Sequence, residues 1–283
     1  MNPVNTKPYK IPSDAIWFIT GSSQGIGRNL AELVAQNPSS RLIATARNTA
    51  DLSYLPDSNP NVLKIKLDVS STSSVQETFD TAAAHWGGPE KKLRVDVVIN
   101  NAGYSLSGDT ENATDQQIQR HMETVFHGTA RITMQAVKSM REGSADGRGG
   151  LIINISSTAG LRALPGTAYY HASKYAVEGF TESVAREMHP DWNISFCLIE
   201  PGMVKTNFES TSKDKIPPHP GYQAPGTPRV ALAEYVAENV SAGSGASADL
   251  VVQTILNVAY ASFVEELDNL REQSLMGGTP RNF

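Results

Sequence analysis

The feature that most constrains this chain is the alternation of short, continuous apolar runs with longer amphipathic stretches. Residues 15–20, 41–46, 62–67, 95–100, 151–156 and 194–199 are rich in Ile and Val. Runs of this length and composition suit strands that are buried on both faces. Between them, helical patterns cover about 26–36, 73–86, 115–141 and 168–188. In the last of these, Val177, Phe180, Val184 and Met188 recur at three- and four-residue steps and form one apolar face. Strand–helix alternation of this kind predicts an α/β fold: a single doubly wound domain with a parallel sheet of six or seven strands and helices on both faces. The domain is expected over 14–275. A polar, proline-rich flexible arm precedes it over 1–13, and a flexible tail follows over 276–283.

Composition narrows the possible partners. Of 283 residues, 24 are basic and 29 acidic, giving a net charge of −5 with no basic block. That argues against nucleic acid and against an anionic membrane surface. Cys197 is the single cysteine, so neither an intrachain disulfide nor a thiolate metal site is expected, and a reducing, cytoplasmic setting follows. No stretch approaches the roughly 20 apolar residues needed to cross a bilayer.

The first apolar run leads directly into Thr20-Gly21-Ser22-Ser23-Gln24-Gly25-Ile26-Gly27, where a helix opens. Glycines at such a bend let the backbone approach a pyrophosphate, whose charge the helix N-terminus favours. The second run ends Ala46-Arg47. A carboxylate there would accept from a ribose 2′-hydroxyl, whereas a guanidinium can grip a 2′-phosphate through two hydrogen bonds. Arg47, with the Ser23 hydroxyl, therefore points to NADP(H).

Tyr170-His171-Ala172-Ser173-Lys174 places a phenol and an ammonium one helical turn apart. The ammonium is expected to lower the phenol's pKa and bring proton transfer towards neutral pH. Ser157 stands thirteen positions before Tyr170, just past a strand. Asn100-Asn101-Ala102-Gly103 closes the fourth run, and Pro201-Gly202-Met203-Val204-Lys205-Thr206 follows the sixth.

Together these motifs resemble the short-chain dehydrogenase/reductase family, over about residues 14 to 260, and so a Rossmann-type domain. The resemblance implies that Tyr170 is the general acid/base, that Lys174 holds the nicotinamide ribose and tunes the tyrosine, and that Ser157 hydrogen-bonds the reacting carbonyl oxygen. It further implies a cofactor cradle of Gly21, Ser23, Gly25, Ile26, Gly27, Arg47, Asp68, Val69, Asn101, Ala102, Gly103, Lys174, Pro201, Gly202, Val204 and Thr206. Asp68 and Val69 would flank the adenine, and Thr206 would touch the carboxamide. The stretch Ile199-Glu200-Pro201-Gly202 to Thr206-Asn207-Phe208 resembles the branch acting on steroid, retinoid or other apolar carbonyl compounds. Residues 207–247 are then expected to form a substrate lid. A homodimer or homotetramer through the helices near 115–141 and 168–188 is likewise implied.

Two departures stand out. The family carries an asparagine three residues before the glycine of the long helix, where it anchors a water leading from the lysine to solvent. Val125 occupies that place, and a valine side chain cannot bind water. His121 lies one turn earlier on the same face and is the candidate to replace it. The second departure is that no seventh strand is recognisable after a helix at about 248–259, because the chain runs on into a helical-looking 263–274.

The expected function is the NADP(H)-dependent interconversion of a ketone and a secondary alcohol on a largely apolar substrate, with no metal. Two other readings remain open, a non-redox isomerase or eliminase on the same site and a cofactor-binding sensor without turnover.

Overall fold

The structure, a computed structural model, describes residues 9–87, 92–143, 147–260 and the backbone of 281–282. In chain order the elements are β1 (Ile16–Ile19), α1 (Gly25–Gln36), β2 (Arg41–Ala46), β3 (Val62–Lys66), α2 (Thr72–Trp86), β4 (Val97–Asn100), β5 (Ser105–Ser107), α3 (Asp115–Met122), α4 (Gly128–Gly143), β6 (Gly150–Ile155), α5 (Ala168–Glu187), β7 (Ile194–Ile199), β8 (Val204–Lys205), α6 (Phe208–Thr211), β9 (Lys213–Lys215), α7 (Pro228–Ser241), β10 (Ala246–Ser247), α8 (Ala248–Tyr260) and β11 (Arg281–Asn282). All six strands expected from the sequence form, within about two residues of their expected ends.

Six of them make a parallel sheet in the order β7-β6-β4-β1-β2-β3. The register pairs Trp17 with Val97 and with Leu42, Ile153 with Ile99, and Ile153 with Cys197. Neighbouring residues of each strand point to opposite faces. Trp17, Ile19, Val97, Ile99, Leu151 and Ile153 pack towards α1 and α8, with Leu30, Val252 and Ile255. Ile16, Phe18, Val98 and Ile152 pack towards α2, α4 and α5, with Phe79, Ile132, Met140 and Val184. Both faces of the sheet are therefore apolar, which is why its strands read as continuous runs.

The order reverses between β1 and β4: from β1 the chain winds outwards to β3, then returns to β4 on the other side. In such sheets a crevice opens beyond the carboxyl ends of the strands at the switch point. The glycine turn, Asn101, Ser157 and Pro201 all follow the carboxyl ends of β1, β4, β6 and β7.

Three features differ from the sequence reading. The helix expected unbroken over 115–141 is interrupted by a π-helical turn, Glu123–His127, with Val125 at its centre. The seventh strand, which had no recognisable place after α8, is supplied by Arg281–Asn282 within the expected tail. It pairs antiparallel to β7, with Arg281 opposite Leu198. The helical pattern at 263–274 lies outside the described residues, as do 1–8 of the arm. Tyr9, also assigned to the arm, is buried, and its phenol donates to the Asp96 carbonyl at 3.1 Å.

The segment 207–247, where a lid is expected, is built of small pieces. β9 adds to β5 and β10 adds to β8, both in parallel. α7 buries none of its residues fully. Asp109, itself buried, clamps residues 219–229: its carboxylate accepts from the His219 amide at 2.6 Å and Gln223 Nε2 at 2.7 Å, and pairs with Arg229 at 2.8 Å. Arg120 of α3 pairs with Asp214 of β9.

Candidate active site

The glycine turn has the shape its sequence demands. Gly21 and Gly25 have φ of 67° and 57°, which side-chain-bearing residues rarely adopt. A Cβ on Gly21 would lie 2.9 Å from Ala102 Cα, and one on Gly27 would collide with Asn101 Nδ2 and the Gly21 carbonyl. Thr20 and Asn101 close the turn from below. Asn101 Nδ2 donates to the Thr20 and Gly21 carbonyls at 3.0 and 3.1 Å, and the amides of Asn101 and Ala102 donate to Thr20 Oγ1. The Asn101 side chain thus shapes the cradle.

No side chain caps the amino end of α1. Its first-turn N–H groups are thereby left for an anion. Arg47 is exposed just past β2, and the buried Ala46 leaves no carboxylate between it and the turn. Asp68 and Val69 follow β3. The Asp68 carboxylate accepts from Ser70 N and Oγ, and Val69 lies against Gly128, where a Cβ would approach Val69 Cγ2 to 2.7 Å. These groups fit a nicotinamide dinucleotide: a side-chain-free approach for the pyrophosphate, open helix N–H groups, and a cation beside the ribose. Pro201, Gly202, Val204 and Thr206 continue from β7. Thr206 Cγ2 is 3.8 Å from a Cβ placed on Gly25, so this segment runs over the mouth of the cradle.

Ser157, Tyr170 and Lys174 come together on the neighbouring strand end. Ser157 starts a short 3₁₀ turn. Its Oγ accepts from the Ala159 amide at 3.1 Å and donates to the Pro201 carbonyl at 3.3 Å. Tyr170 and Lys174 lie in the first two turns of α5. Lys174 is buried, its Nζ donating to the Ile155 carbonyl at 2.7 Å and sitting 5.8 Å from the Tyr170 ring centroid. Burial lowers its pKa to about 8, against the opposing pull of Glu178.

The phenol behaves differently from the sequence expectation. Burial raises the Tyr170 pKa above its ordinary value, the adjacent Ser157 hydroxyl opposes this, and Glu209 adds to the rise. In the protein alone, desolvation outweighs any help from Lys174.

Several side chains that frame this centre are given no role by the sequence motifs. Asn100 Nδ2 donates to Asn154 Oδ1 at 2.8 Å and to Thr133 Oγ1, and Asn154 Nδ2 donates to Thr181 Oγ1 at 2.7 Å. This buried chain ties β4 and β6 to α4 and α5. His171 Nε2 accepts from the Leu164 amide, so its Nδ1–H donates to the Ala159 carbonyl, each at 2.8 Å. That staple fixes the loop after Ser157 against α5. Polar residues at otherwise apolar strand ends, such as Asn154, are the one signal that could have revealed the first network.

His121 is wholly buried, not at the surface. Its ring meets Tyr104 edge-on at 5.0 Å and lies 6.2 Å from the Tyr170 ring. Ser173 Oγ donates to the Tyr170 carbonyl at 2.7 Å and so accepts from His121 Nε2–H at 3.1 Å. That arrangement leaves Nδ1 bare, with no protein partner. Burial, reinforced by the charge of Lys174, lowers the His121 pKa to about 4, so the ring is neutral at physiological pH.

Among the described residues there is no group of three or more potential metal ligands and no helix long and apolar enough to cross a membrane.

Comparison with known proteins shows which chains this one is similar to. The family model described as short chain dehydrogenase matches residues 15–217. Oxidoreductase calM of Penicillium decumbens is 54% identical over 259 residues, which cover 92% of this chain and 84% of that protein. A 3-ketodihydrosphingosine reductase of Bacteroides thetaiotaomicron is 33% identical over 68% of this chain and 65% of its own. Among solved structures, a short-chain dehydrogenase from Streptomyces avermitilis superposes with a TM-score of 0.74 at 27% identity, covering 92% of this chain and 94% of that one.

Proposed function

The chain belongs to the short-chain dehydrogenase/reductase family of oxidoreductases, and from that premise we propose that it reduces a largely apolar ketone to a secondary alcohol with NADPH. The observation that carries the proposal is the meeting of the Ser157 hydroxyl and the Tyr170 phenol above the buried ammonium of Lys174. The glycine turn, Arg47, Asn101 to Gly103 and Pro201 to Thr206 would hold NADP(H), which supplies the hydride.

The residues of the chain do the rest. Ser157 orients the carbonyl oxygen and stabilises the charge that develops on it. Tyr170 delivers the proton to that oxygen from its hydroxyl. Its raised pKa keeps it protonated at neutral pH, the state an acid in the reductive direction needs. Lys174 carries a positive charge below about pH 8 and eases the loss of that proton. The lid over 207–247 excludes water and orients the substrate.

The apolar substrate class rests on the stretch from Ile199 to Phe208, and the Bacteroides relative, a 3-ketodihydrosphingosine reductase by name, is in keeping with it. The buried, unpaired Cys197 accords with a cytoplasmic setting. The test is to follow NADPH absorbance across a panel of ketones of increasing chain length. Consumption that rises with apolar bulk is expected. Turnover without cofactor consumption would favour an isomerase or eliminase, and NADPH binding with no turnover would favour a sensor.

A further inference from the structure

Gln24 sits inside the glycine turn, between two residues at positive φ, and is the N-cap residue of α1. An N-cap side chain ordinarily turns back to accept from the helix's own first N–H groups. That of Gln24 does not, and its amide reaches the other end of the sequence instead. Nε2 donates to Ser212 Oγ at 2.6 Å, and Oε1 accepts from Asn207 Nδ2 at 3.0 Å and, at 3.1 Å, shares the Thr211 hydroxyl with the Asn207 carbonyl. Three of the first six lid residues are thus held by one side chain of the nucleotide turn.

We propose that Gln24 is a positioning residue that couples the nucleotide site to the substrate lid, so that a dinucleotide fixing the glycine turn also fixes residues 207–212 over the substrate. The inference rests on the reading of the glycine turn as the nucleotide site.

The physical argument is entropic. An anion on the first N–H groups of α1 immobilises the backbone from Gly21 to Ile26, and with it the Cα of Gln24. The amide of Gln24 then presents one donor and one acceptor at fixed points. The lid segment that meets them, α6 and its flanks, is short, polar and largely solvent-facing, with Asn207 starting it and Ser212 ending it. Such a segment has little burial of its own to hold it, so hydrogen bonds to a fixed partner decide how often it opens. Rigidity gained at one site lowers the ordering cost at the other, which is positive coupling without a change of shape. By reciprocity, substrate under the lid tightens the nucleotide site to the same degree. Residues 213–229 are held separately, by the pairing of β9 with β5 and by Arg120 and Asp109, so the coupling acts on residues 207–212.

Hydrogen exchange with NADPH as the probe tests this. In the unaltered protein, saturating NADPH is expected to slow exchange both at residues 21–28 and at residues 207–212, the latter by about fivefold or more. In Gln24→Ala the turn is still protected by NADPH, while the effect at 207–212 is lost. Gln24→Glu, which keeps the acceptor for Asn207 and Thr211 but not the donor to Ser212, retains part of it. The lid-side variant Asn207→Ala/Thr211→Val/Ser212→Ala, which leaves the turn intact, should lose it as Gln24→Ala does and guards against misfolding of the latter. Undiminished lid protection in these variants overturns the coupling, as does a wild-type lid that ignores NADPH while the turn responds. If NADPH protects neither segment in the unaltered protein, the nucleotide reading itself fails and the coupling with it.

Discussion

At the scale of single residues, Arg47 after Ala46 is what supports the proposed preference for NADPH. A guanidinium beside a 2′-phosphate forms a charge-assisted, bidentate contact, and losing it costs about 1.5–3 kcal/mol, or roughly 10- to 150-fold in affinity. Arg47→Ala should therefore weaken NADPH binding by that factor and leave NADH almost untouched, as measured by fluorescence titration of both. Equal dissociation constants for the two cofactors in the unaltered protein would contradict this. The residue pair was legible in the sequence because a strand end places its side chains predictably. His121 was legible only in part, since its helical face was evident but its burial was not. That burial comes from Tyr104 and α5 packing onto α3, a tertiary contact no local pattern encodes. A buried imidazole with a pKa near 4 binds its proton less readily than in the unfolded chain, where the value is 6.5. The unfolded state therefore binds more protons between those values, and acidification through that window destabilises the fold. Between pH 7 and 5 this group alone should cost about 2 kcal/mol. Urea unfolding of the wild type and of His121→Gln at both pH values checks it: the variant should lose less stability, by about that amount.

The break between α3 and α4 is the clearest lesson at the scale of elements. Glu123 to His127 keep an apolar spacing compatible with a continuous helix, so the sequence pattern runs through them. What interrupts the helix is a π-helical turn, a feature common at functional sites and set by packing more than by propensity. Val125 lies in that turn, buried towards Gly103, where a family asparagine would hold water. His121, one turn earlier, has its ring 6.2 Å from that of Tyr170 and a bare Nδ1. If a water held there carries the proton, His121→Ala slows turnover by about tenfold, roughly 1.4 kcal/mol of barrier. His121→Gln, which can still hydrogen-bond a water, recovers part of the rate, and a silent His121→Ala would refute the relay. The lid shows the opposite limit of sequence reading. Its glycines and prolines announce a covering segment, but β9 on β5 and β10 on β8 are two- and three-residue pairings too short to leave a periodic trace.

At the scale of the whole molecule, the strand order is a tertiary outcome, while the parallel sheet itself follows from the alternation of runs, since each buried strand must be covered on both faces. The antiparallel edge strand Arg281–Asn282 does not, because two polar residues carry no strand signal and depend on β7 for their hydrogen bonds. Along α5, Ala172, Tyr175 and Gly179 face outwards, and a Cβ on Gly179 would meet nothing within 4 Å, while Met134 is exposed on α4. A surface of small residues flanked by large apolar ones suits close helix packing between two copies. Light scattering at micromolar concentration should give about twice 30.5 kDa, or a tetramer, and a monomer would refute the assembly. In the proposed reaction all these parts serve one chemical event, proton delivery from Tyr170 to a ketone oxygen, and one substitution isolates it. Tyr170→Phe removes a single hydroxyl and leaves Ser157, Lys174 and the nucleotide cradle in place. NADPH-dependent ketone reduction should fall by about 10²–10⁴-fold, with the circular dichroism spectrum and the NADPH dissociation constant nearly unchanged. A Tyr170→Phe enzyme that reduces the ketone at close to the wild-type rate would contradict the account.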